Sequence, residues 1–334
     1  VALVDASVLT GHEDLAGNVV AGTDIFDDVA PDDGSGVAVH GTHVAGIVGA
    51  VADNQVGIAG IAPRVSVMPV RVLNDAASGS LADVADGILW ATDNGADVIN
   101  LSLQAAVDRV FVEAAVDHAV DNGVLVVAAM GNWGGGPSSP CFGGLDNPVV
   151  YPAAYSQVVA VGAVDDLGEV ACFSGRRDYI DVVAPGVDVL STHPASDGAY
   201  LVQSGTSMAV PHVVGLAALL KSGRPDLTQA EFEAIVVASA RDAGPVGFDD
   251  EYGWGVLDVP AALQIGLGDP PPPEPPSLLE IVGAASEEPV SLGWVRSPSI
   301  DVVAYEVLVD GAVVATVGRN ETTVSVSVAA DTVI

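Results

Sequence analysis

The feature that most constrains the fold is a series of short, almost continuous apolar runs. Five of them, rich in Val, Leu, Ile and Ala, occupy residues 1–5, 65–73, 96–103, 123–132 and 158–164. Strands buried on both faces of a parallel sheet have this composition. Segments typical of helices alternate with these runs, at residues 41–52, 80–95 and 106–123. This alternation predicts an α/β fold with a doubly wound, mostly parallel sheet flanked by helices.

A change of pattern near residue 267 predicts further domains. Residues 266–276 are rich in proline and should form an extended spacer. Beyond them apolar and polar residues alternate, and an Asp-Gly pair marks a hairpin. Trp294, Tyr305 and this hairpin resemble a fibronectin type III domain, although the segment is shorter than such sandwiches. We therefore predict a first domain, a linker and a small truncated antiparallel β-sandwich module, at residues 1–267, 268–277 and 278–334.

The charge balance limits the partners that this chain can bind. The 44 acidic residues outnumber the 10 basic ones and give a net charge of −34. So acidic a protein cannot neutralise phosphates, which argues against a nucleic-acid partner. Scattered acids favour a surface solvated in high salt, or simply a soluble secreted protein. No run of eighteen apolar residues occurs in the sequence, so we expect no membrane span.

Polar residues stand where predicted strands end and predicted helices begin. Asp5 ends the first run and Asn132 ends the fourth, whereas His40 and Ser207 each precede an apolar helical segment. Sites in parallel sheets form at the carboxyl ends of the strands. We therefore expect these four side chains to line one edge of the sheet.

Asp, His and Ser together are the parts of a nucleophilic hydrolase. A serine hydroxyl is a weak nucleophile until a histidine accepts its proton, and a carboxylate orients that histidine. Asn132 adds an N–H donor for a negatively charged oxygen, beside the backbone N–H of Ser207. Taken alone, Ser207 is better explained as a helix cap. The other three residues favour a nucleophile instead.

Four stretches carry a resemblance to a known family. They are VALVD at Asp5, HGTHVAGIVGA at His40, VVAAMGN at Asn132 and SGTSMAVPHVVG at Ser207. In this order they resemble the subtilisin family of serine proteases, the subtilases, over residues 1 to about 265. The resemblance implies a secreted serine endopeptidase that hydrolyses proteins or peptides through an acyl-enzyme. It also implies a monomer of broad specificity.

The resemblance assigns substrate binding to two segments, with Ser102, Leu103 and Gln104 in the first and Ala129 and Gly131 in the second. An extended substrate would pair with the first segment as an added strand. Small residues in the second segment leave room for a sizeable apolar side chain at P1, the substrate residue before the scissile bond. The family has glycine where this chain has Gln104, so we expect Gln104 to narrow or polarise that pocket. A second departure, Ala6 after Asp5, keeps the carboxylate.

The resemblance also implies a structural calcium ion. Its ligands would be the Asp14 carboxylate, the Asn54 side chain and the carbonyl oxygens of Ala52, Val56 and Ile58. An all-oxygen ligand set suits a hard cation such as Ca²⁺. The family takes a further ligand from an N-terminal segment that this sequence does not include. The alternative is a solvated loop without a metal.

The remaining cysteine, proline and histidine residues allow more limited expectations. Cys141 and Cys172 are either two buried thiols or one disulfide, and the sequence does not decide between them. The resemblance suggests a cis bond between Tyr151 and Pro152. The histidines expected at the surface are His12, His118 and His193.

Two other functions compete with a protease. A catalytically silent adhesion or binding protein of the cell surface would use the β module and leave the Asp, His and Ser residues idle. An esterase would carry its serine in a G-x-S-x-G turn, whereas Ser207 stands in GTSMA. The complete set of catalytic residue types favours the protease.

Overall fold

The computed structural model describes residues 1–26, 39–135, 146–195 and 199–268, together with five later strands. The chain divides into two compact units, residues 1–268 and 269–334. The interior of the predicted linker, residues 269–276, lies outside the described residues.

Six helices are described, all in the first unit. They are α1 (Val39–Gly49), α2 (Leu81–Asp93), α3 (Val110–Asp121), α4 (Thr206–Gly223), α5 (Gln229–Ser239) and α6 (Val259–Leu267). The described strands of this unit are β1 (Ala2–Asp5), β2 (Thr23–Asp24), β3 (Met68–Arg71), β4 (Val98–Leu101), β5 (Leu125–Ala129), β6 (Val159–Val164), β7 (Val182–Pro185), β8 (Val189–His193) and β9 (Ala199–Gln203).

Seven strands form one sheet in the order β2-β3-β1-β4-β5-β6-β7. Every pair in it is parallel. Strands β1, β4, β5 and β6 are buried along their whole length, as their continuous apolar sequences predict. The predicted α/β class with a mostly parallel sheet and flanking helices is confirmed. Strands β8 and β9, which pair as an antiparallel hairpin, were not predicted.

Helices cover both faces of the sheet. Alternate residues of β1 enter two different hydrophobic clusters, Leu3 in one and Val4 in the other. The Leu3 cluster includes residues of α1, α4, α5 and α6, and the Val4 cluster includes residues of α2 and α3. A strand whose two faces are both covered is almost entirely apolar, which accounts for Ala2, Leu3 and Val4 of β1.

The strand order places a switch point at β1. The chain passes from β1 to β3 on one side and then to β4 on the other. Where the strand order reverses, the connections leave a crevice at the carboxyl ends of the strands. Asp5, the last residue of β1, lies at this crevice.

Helix α1 is joined by hydrogen bonds to the β8–β9 hairpin. The hydroxyls of Ser191 and Thr192 donate to the carbonyls of His43 and Thr42, at 2.6 and 2.7 Å. A Cβ on Gly46 would lie 2.3 Å from the Ser191 hydroxyl, so this close approach requires glycine. The hairpin is therefore held tightly against the helix that begins beside His40.

The second unit has its own strands, β10 (Ser277–Val282), β11 (Val290–Val295), β12 (Ala304–Val309), β13 (Ala312–Gly318) and β14 (Thr323–Val326). Strand β11 pairs antiparallel with β10 and β14, and β12 pairs antiparallel with β13. The period-two alternation predicted strands of this kind. Trp294 and Tyr305 fall in β11 and β12, and the fibronectin type III resemblance stays a prediction.

Three minor expectations meet different outcomes. The bond between Tyr151 and Pro152 is cis, as expected. Cys172 is disulfide-bonded; Cys141 lies outside the described residues, so their pairing stays a prediction. The surface position of His12 was wrong, because His12 is fully buried. Its Nε2 lies 2.9 Å from the Ala199 carbonyl, and its Nδ1 accepts the backbone N–H of Asp14.

Within the described residues, none of the helices has the length and apolar character needed to cross a membrane.

Candidate active site

Asp5 and His40 are joined by a direct side-chain hydrogen bond. The Nδ1 of His40 lies 2.7 Å from Oδ1 of Asp5, which also accepts the backbone N–H of Ala6 at 2.6 Å. The Asp5 side chain is fully buried, whereas that of His40 is 20% exposed. With Nδ1 donating to the carboxylate, the exposed side of the ring presents Nε2 as a proton acceptor.

The pair changes the proton affinity of His40. Burial lowers the pKa of His40, but the charge of Asp5 and the hydrogen bond to it outweigh burial, and the pKa is raised above 6.5. The imidazolium is thus stabilised where a reaction would produce it. A histidine of this kind accepts a proton more readily than a free one.

Ser207 lies in the first turn of α4. The N-cap of this helix is Gly205 and forms no side-chain hydrogen bond, so the interpretation of Ser207 as the cap was wrong. The Ser207 hydroxyl donates to the carbonyl of Ser102 at 3.1 Å, and the Ser102 hydroxyl donates to the carbonyl of Ser207 at 2.9 Å. This reciprocal pair fixes the start of α4 against the end of β4. A rotation about χ1 redirects the Ser207 hydroxyl.

Asn132 is held by both its side chain and its backbone. Its Oδ1 accepts the backbone N–H and the hydroxyl of Thr206, at 2.9 and 3.0 Å. Its own backbone N–H donates to Oε1 of Gln104 at 2.6 Å. The amide nitrogen Nδ2 is left as the donor that can serve a ligand.

Apart from Asp5, which lies behind His40, these residues line a single cleft of about 330 Å³. The cleft is lined by His40, Leu73, Ala77, Ser78, Gly79, Leu81, Val84, Ser102, Leu103, Gln104, Ala129, Asn132, Thr206 and Ser207. It contains four of the five residues predicted to bind substrate. Gly131 does not line it but lies beside the Gln104 side chain.

Part of the cleft was not predicted. Its wall at Leu73 to Leu81 and the support that Thr206 gives Asn132 are both absent from the expectations. The sequence does contain one indication of that wall, the Gly/Ser-rich stretch ASGS at residues 77–80. It lies between a predicted strand and a predicted helix and so indicates a loop at the edge of the sheet. For Thr206 the only signal was its place beside Ser207.

Two of the residues named as candidate calcium ligands, Asn54 and Ile58, contact the carboxylate of Asp14, which is fully buried. Its Oδ1 accepts the Asn54 amide at 2.7 Å, and its Oδ2 accepts Ile58 N–H at 2.9 Å and the Tyr200 hydroxyl at 3.1 Å. The loop contains three residues with positive φ, namely Asp53, Gln55 and Gly57. No cluster of three or more His, Cys, Asp or Glu able to hold a metal occurs in the described part of the chain.

The donor set nevertheless fits a hard cation. Asp14 forms no ion pair with a basic side chain among the described residues, so its buried charge lacks a counter-ion there. A cation beside it would supply one and would offset the strain of the left-handed loop residues. The Asn54 amide as placed donates to Asp14, so calcium ligation requires this amide to rotate.

The arrangement thus brings a serine hydroxyl, a histidine bound to a buried carboxylate and an asparagine amide together at one edge of a parallel sheet. The sequence profile of the Subtilase family matches residues 1–255, about three quarters of the chain. The chain is a subtilase.

Individual subtilases are similar over the same region. Subtilisin DY from Bacillus licheniformis is 41% identical over 265 residues, which cover 79% of this chain and 90% of that protein. The thermophilic serine proteinase of Bacillus sp. (strain AK1) is 48% identical over 255 residues, 76% of this chain and 59% of that one. Fervidolysin from Fervidobacterium pennivorans, a keratinolytic enzyme related to subtilisin, superposes with a TM-score of 0.70 at 34% identity. That match covers 83% of this chain and 43% of fervidolysin.

This subtilase is accordingly a hydrolase, a serine endopeptidase whose substrates are proteins or peptides. Family membership disfavours both the esterase and the silent adhesion protein. The family match ends at residue 255 and lends no support to the fibronectin type III resemblance of residues 278–334.

Proposed function

We propose that Asp5, His40 and Ser207 are the catalytic triad of this endopeptidase and that Asn132 is its oxyanion donor. The observation that carries the proposal is the 2.7 Å bond from His40 to buried Asp5, at a cleft that Ser207 and Asn132 also line. The order Asp, His, Ser along the chain is that of subtilisin, and the reaction steps are those of that family.

Acylation begins when the Ser207 hydroxyl turns from the Ser102 carbonyl toward His40. Nε2 of His40 takes the hydroxyl proton as Oγ attacks the scissile carbonyl carbon. The carbonyl π electrons move to its oxygen, which receives hydrogen bonds from Nδ2 of Asn132 and the backbone N–H of Ser207. Collapse breaks the C–N bond, and the proton on His40 passes to the leaving amine. Ser207 is left as an ester.

Deacylation repeats these steps with water as the nucleophile. His40 takes a proton from water, and the resulting oxygen attacks the ester carbonyl while the same donors hold the oxyanion. Collapse expels Oγ of Ser207, which recovers the proton from His40 and frees the carboxylic acid product. Asp5 keeps its bond to Nδ1 throughout and stabilises the imidazolium without taking the proton.

Covalent labelling tests this assignment. A fluorophosphonate should attach to wild-type enzyme and not to Ser207→Ala. The matched control is Ser222→Ala, which removes an exposed hydroxyl from the same helix and should be labelled like the wild type. Labelling of Ser207→Ala at another residue contradicts the triad.

We also propose that Asp14, Asn54 and the carbonyls of Ala52, Val56 and Ile58 hold Ca²⁺ as a structural ion. Bound there, the ion would neutralise the buried Asp14 charge and brace the loop. In the Ser207→Ala background, which prevents autolysis, EDTA should lower the melting temperature and calcium should restore it. Asp14→Asn should abolish this response, whereas Asp53→Asn, an equal charge change at an exposed neighbour, should keep it. A melting temperature indifferent to EDTA argues against the ion.

The remaining proposals rest on the resemblance. We infer that the enzyme is secreted, acts as a monomer and cleaves a broad range of sequences, since substrate pairing with the 102–104 segment uses backbone atoms common to all residues. Sedimentation of the purified full chain tests its oligomeric state. Digestion of a peptide library tests the breadth of its specificity.

A further inference from the structure

The side chain of Gln104 lines the cleft and reaches from its own chain segment to the backbone of residues 131–132. Its Oε1 accepts the backbone N–H of Asn132 at 2.6 Å. A Cβ built on Gly131 would lie 2.9 Å from the same Oε1 and 3.0 Å from a Val150 methyl. The Gln104 amide therefore lies directly against the backbone of residues 131–132.

The backbone on both sides of Gln104 is fixed. On one side, Ser102 and Ser207 exchange hydroxyl-to-carbonyl hydrogen bonds. On the other, Ala105 and Tyr151 exchange two backbone hydrogen bonds of 3.0 and 2.8 Å. Because the backbone cannot shift easily, only a rotamer change can move the Gln104 side chain out of the cleft.

This position coincides with the space that a bound substrate needs. The scissile carbonyl must lie within reach of Oγ of Ser207 and Nδ2 of Asn132. Leu103 and Ala129 line the cleft beside these groups, and we place the P1 side chain between them. Gln104 connects the segments that carry these two residues, so its side chain occupies the depth into which a long P1 side chain would extend.

We propose that Gln104 is a specificity-determining residue that restricts P1 to small side chains, Ala above all. The proposal rests on the triad assignment and departs from the expectation of a sizeable apolar P1 residue. A large P1 group must displace the Gln104 amide and leave the Asn132 N–H without its acceptor, which is costly. Because Asn132 also supplies the oxyanion donor, that displacement disturbs the reacting end of the site as well.

The experiment compares two substrates that differ only at P1. Succinyl-Ala-Ala-Pro-Ala and succinyl-Ala-Ala-Pro-Phe p-nitroanilides are hydrolysed by wild-type enzyme, Gln104→Ala, Gln104→Met and the exposed control Gln264→Ala. Concentrations of active enzyme come from fluorophosphonate titration of Ser207. Wild-type enzyme and the control should prefer Ala. Gln104→Ala should raise the Phe-to-Ala ratio of kcat/KM by at least about tenfold, in the range that pocket volume controls.

Gln104→Met separates volume from hydrogen bonding. Met fills similar space but accepts no strong hydrogen bond, so this variant should keep the preference for Ala while kcat falls on both substrates. A wild-type enzyme that prefers Phe overturns the proposal. So does a Phe-to-Ala ratio unchanged in Gln104→Ala, or one that rises equally in Gln104→Met.

The titration distinguishes this failure from failure of the triad. If fluorophosphonate labels Ser207 but the wild-type enzyme prefers Phe at P1, the triad assignment stands and only the proposed role of Gln104 is contradicted. If hydrolysis is too slow to measure in a variant, the rates at which peptidyl phosphonates with Ala or Phe at P1 label Ser207 give the same ratio by intact mass.

Discussion

Thr206 holds the oxygen of the Asn132 side chain with two hydrogen bonds, one from its backbone N–H and one from its hydroxyl. Thr206 immediately precedes Ser207 in α4. Asn132, the proposed oxyanion donor, is therefore attached to the residue next to Ser207, the proposed nucleophile, and these bonds tie the positions of the two residues together.

Replacing Asn132 by Leu should lower kcat by about 10²- to 10³-fold, the cost of one lost oxyanion donor, with a smaller effect on KM. Leu is of similar size and has no N–H. Asn94→Leu, on the exposed C-cap of α2, serves as the control and should hydrolyse a peptide anilide at the parent rate. A kcat for Asn132→Leu within a few-fold of the parent would contradict the oxyanion role.

Replacing Asp5 by Asn should lower kcat on the order of 10⁴-fold, because the neutral amide favours the wrong imidazole tautomer. The parent enzyme should gain kcat/KM as pH rises through the pKa of His40, which Asp5 raises above 6.5. Nitrogen NMR of His40 should show a lower pKa in Asp5→Asn. An unchanged His40 titration would mean that the observed bond does not control the base.

His43 should make stability depend on pH. It is fully buried, and burial lowers its pKa from 6.5 to about 4, so the folded state favours the neutral ring. The contribution of the neutral His43 ring to the unfolding free energy is fully present above pH 6.5. It is lost as pH falls from 6.5 toward 4, and the loss is on the order of 3 kcal/mol. In the Ser207→Ala background, His43→Asn should flatten the fall in unfolding free energy across this window.

His118→Asn is the control for this measurement, since the His118 side chain is 40% exposed. Its unfolding free energy should follow the parent's pH dependence. Unfolding free energies measured by urea denaturation at each pH give the dependence on pH. If that dependence is the same for the parent and for His43→Asn, His43 is not held neutral in the folded state.

Salt should raise the melting temperature of the Ser207→Ala protein. With a net charge of −34, the acidic side chains of the folded protein repel one another, and this repulsion destabilises the compact state. Ionic screening shortens the reach of that repulsion from about 10 Å at 0.1 M to about 3 Å at 1 M. Calorimetry in increasing NaCl, with sucrose as the uncharged control, measures the effect. A melting temperature that falls with salt contradicts this reading of the acidic surface.

The residues at the sheet edge could be placed from the sequence because they follow strands with an unambiguous pattern. A strand covered on both faces is almost entirely apolar, so Asp5 is conspicuous at the end of β1. Parallel pairing then brings the carboxyl ends of the strands together, whatever the length of the connections.

Strands that are only partly buried do not show such a continuous apolar pattern in the sequence. Strands β8 and β9 are only partly buried, so their residues mix apolar and polar types without a clear period. His12 was misplaced for a related reason. Its burial depends on the Ala199 carbonyl, far along the chain in that same unpredicted hairpin.

The contact between Gln104 and Asn132 could not be predicted either. The sequence shows a large residue where the family has glycine, but not which way it turns. Its direction depends on a rotamer and on the backbone of a neighbouring segment, and neither can be read from a linear pattern.

The hydroxyls of Ser191 and Thr192 that tie the hairpin to α1 have a mechanical consequence. Strand β9 leads directly into the helix that carries Ser207, and His40 lies in the first turn of α1. The hydroxyl bonds of Ser191 and Thr192, together with the His43 ring, whose Nε2 lies 3.1 and 3.0 Å from the carbonyls of Val189 and Leu201, therefore join the helix of His40 to the hairpin that precedes Ser207. Heating that breaks these contacts would misalign His40 and Ser207 while the sheet is still intact. Peptide hydrolysis would then stop at a lower temperature than the one at which the protein unfolds.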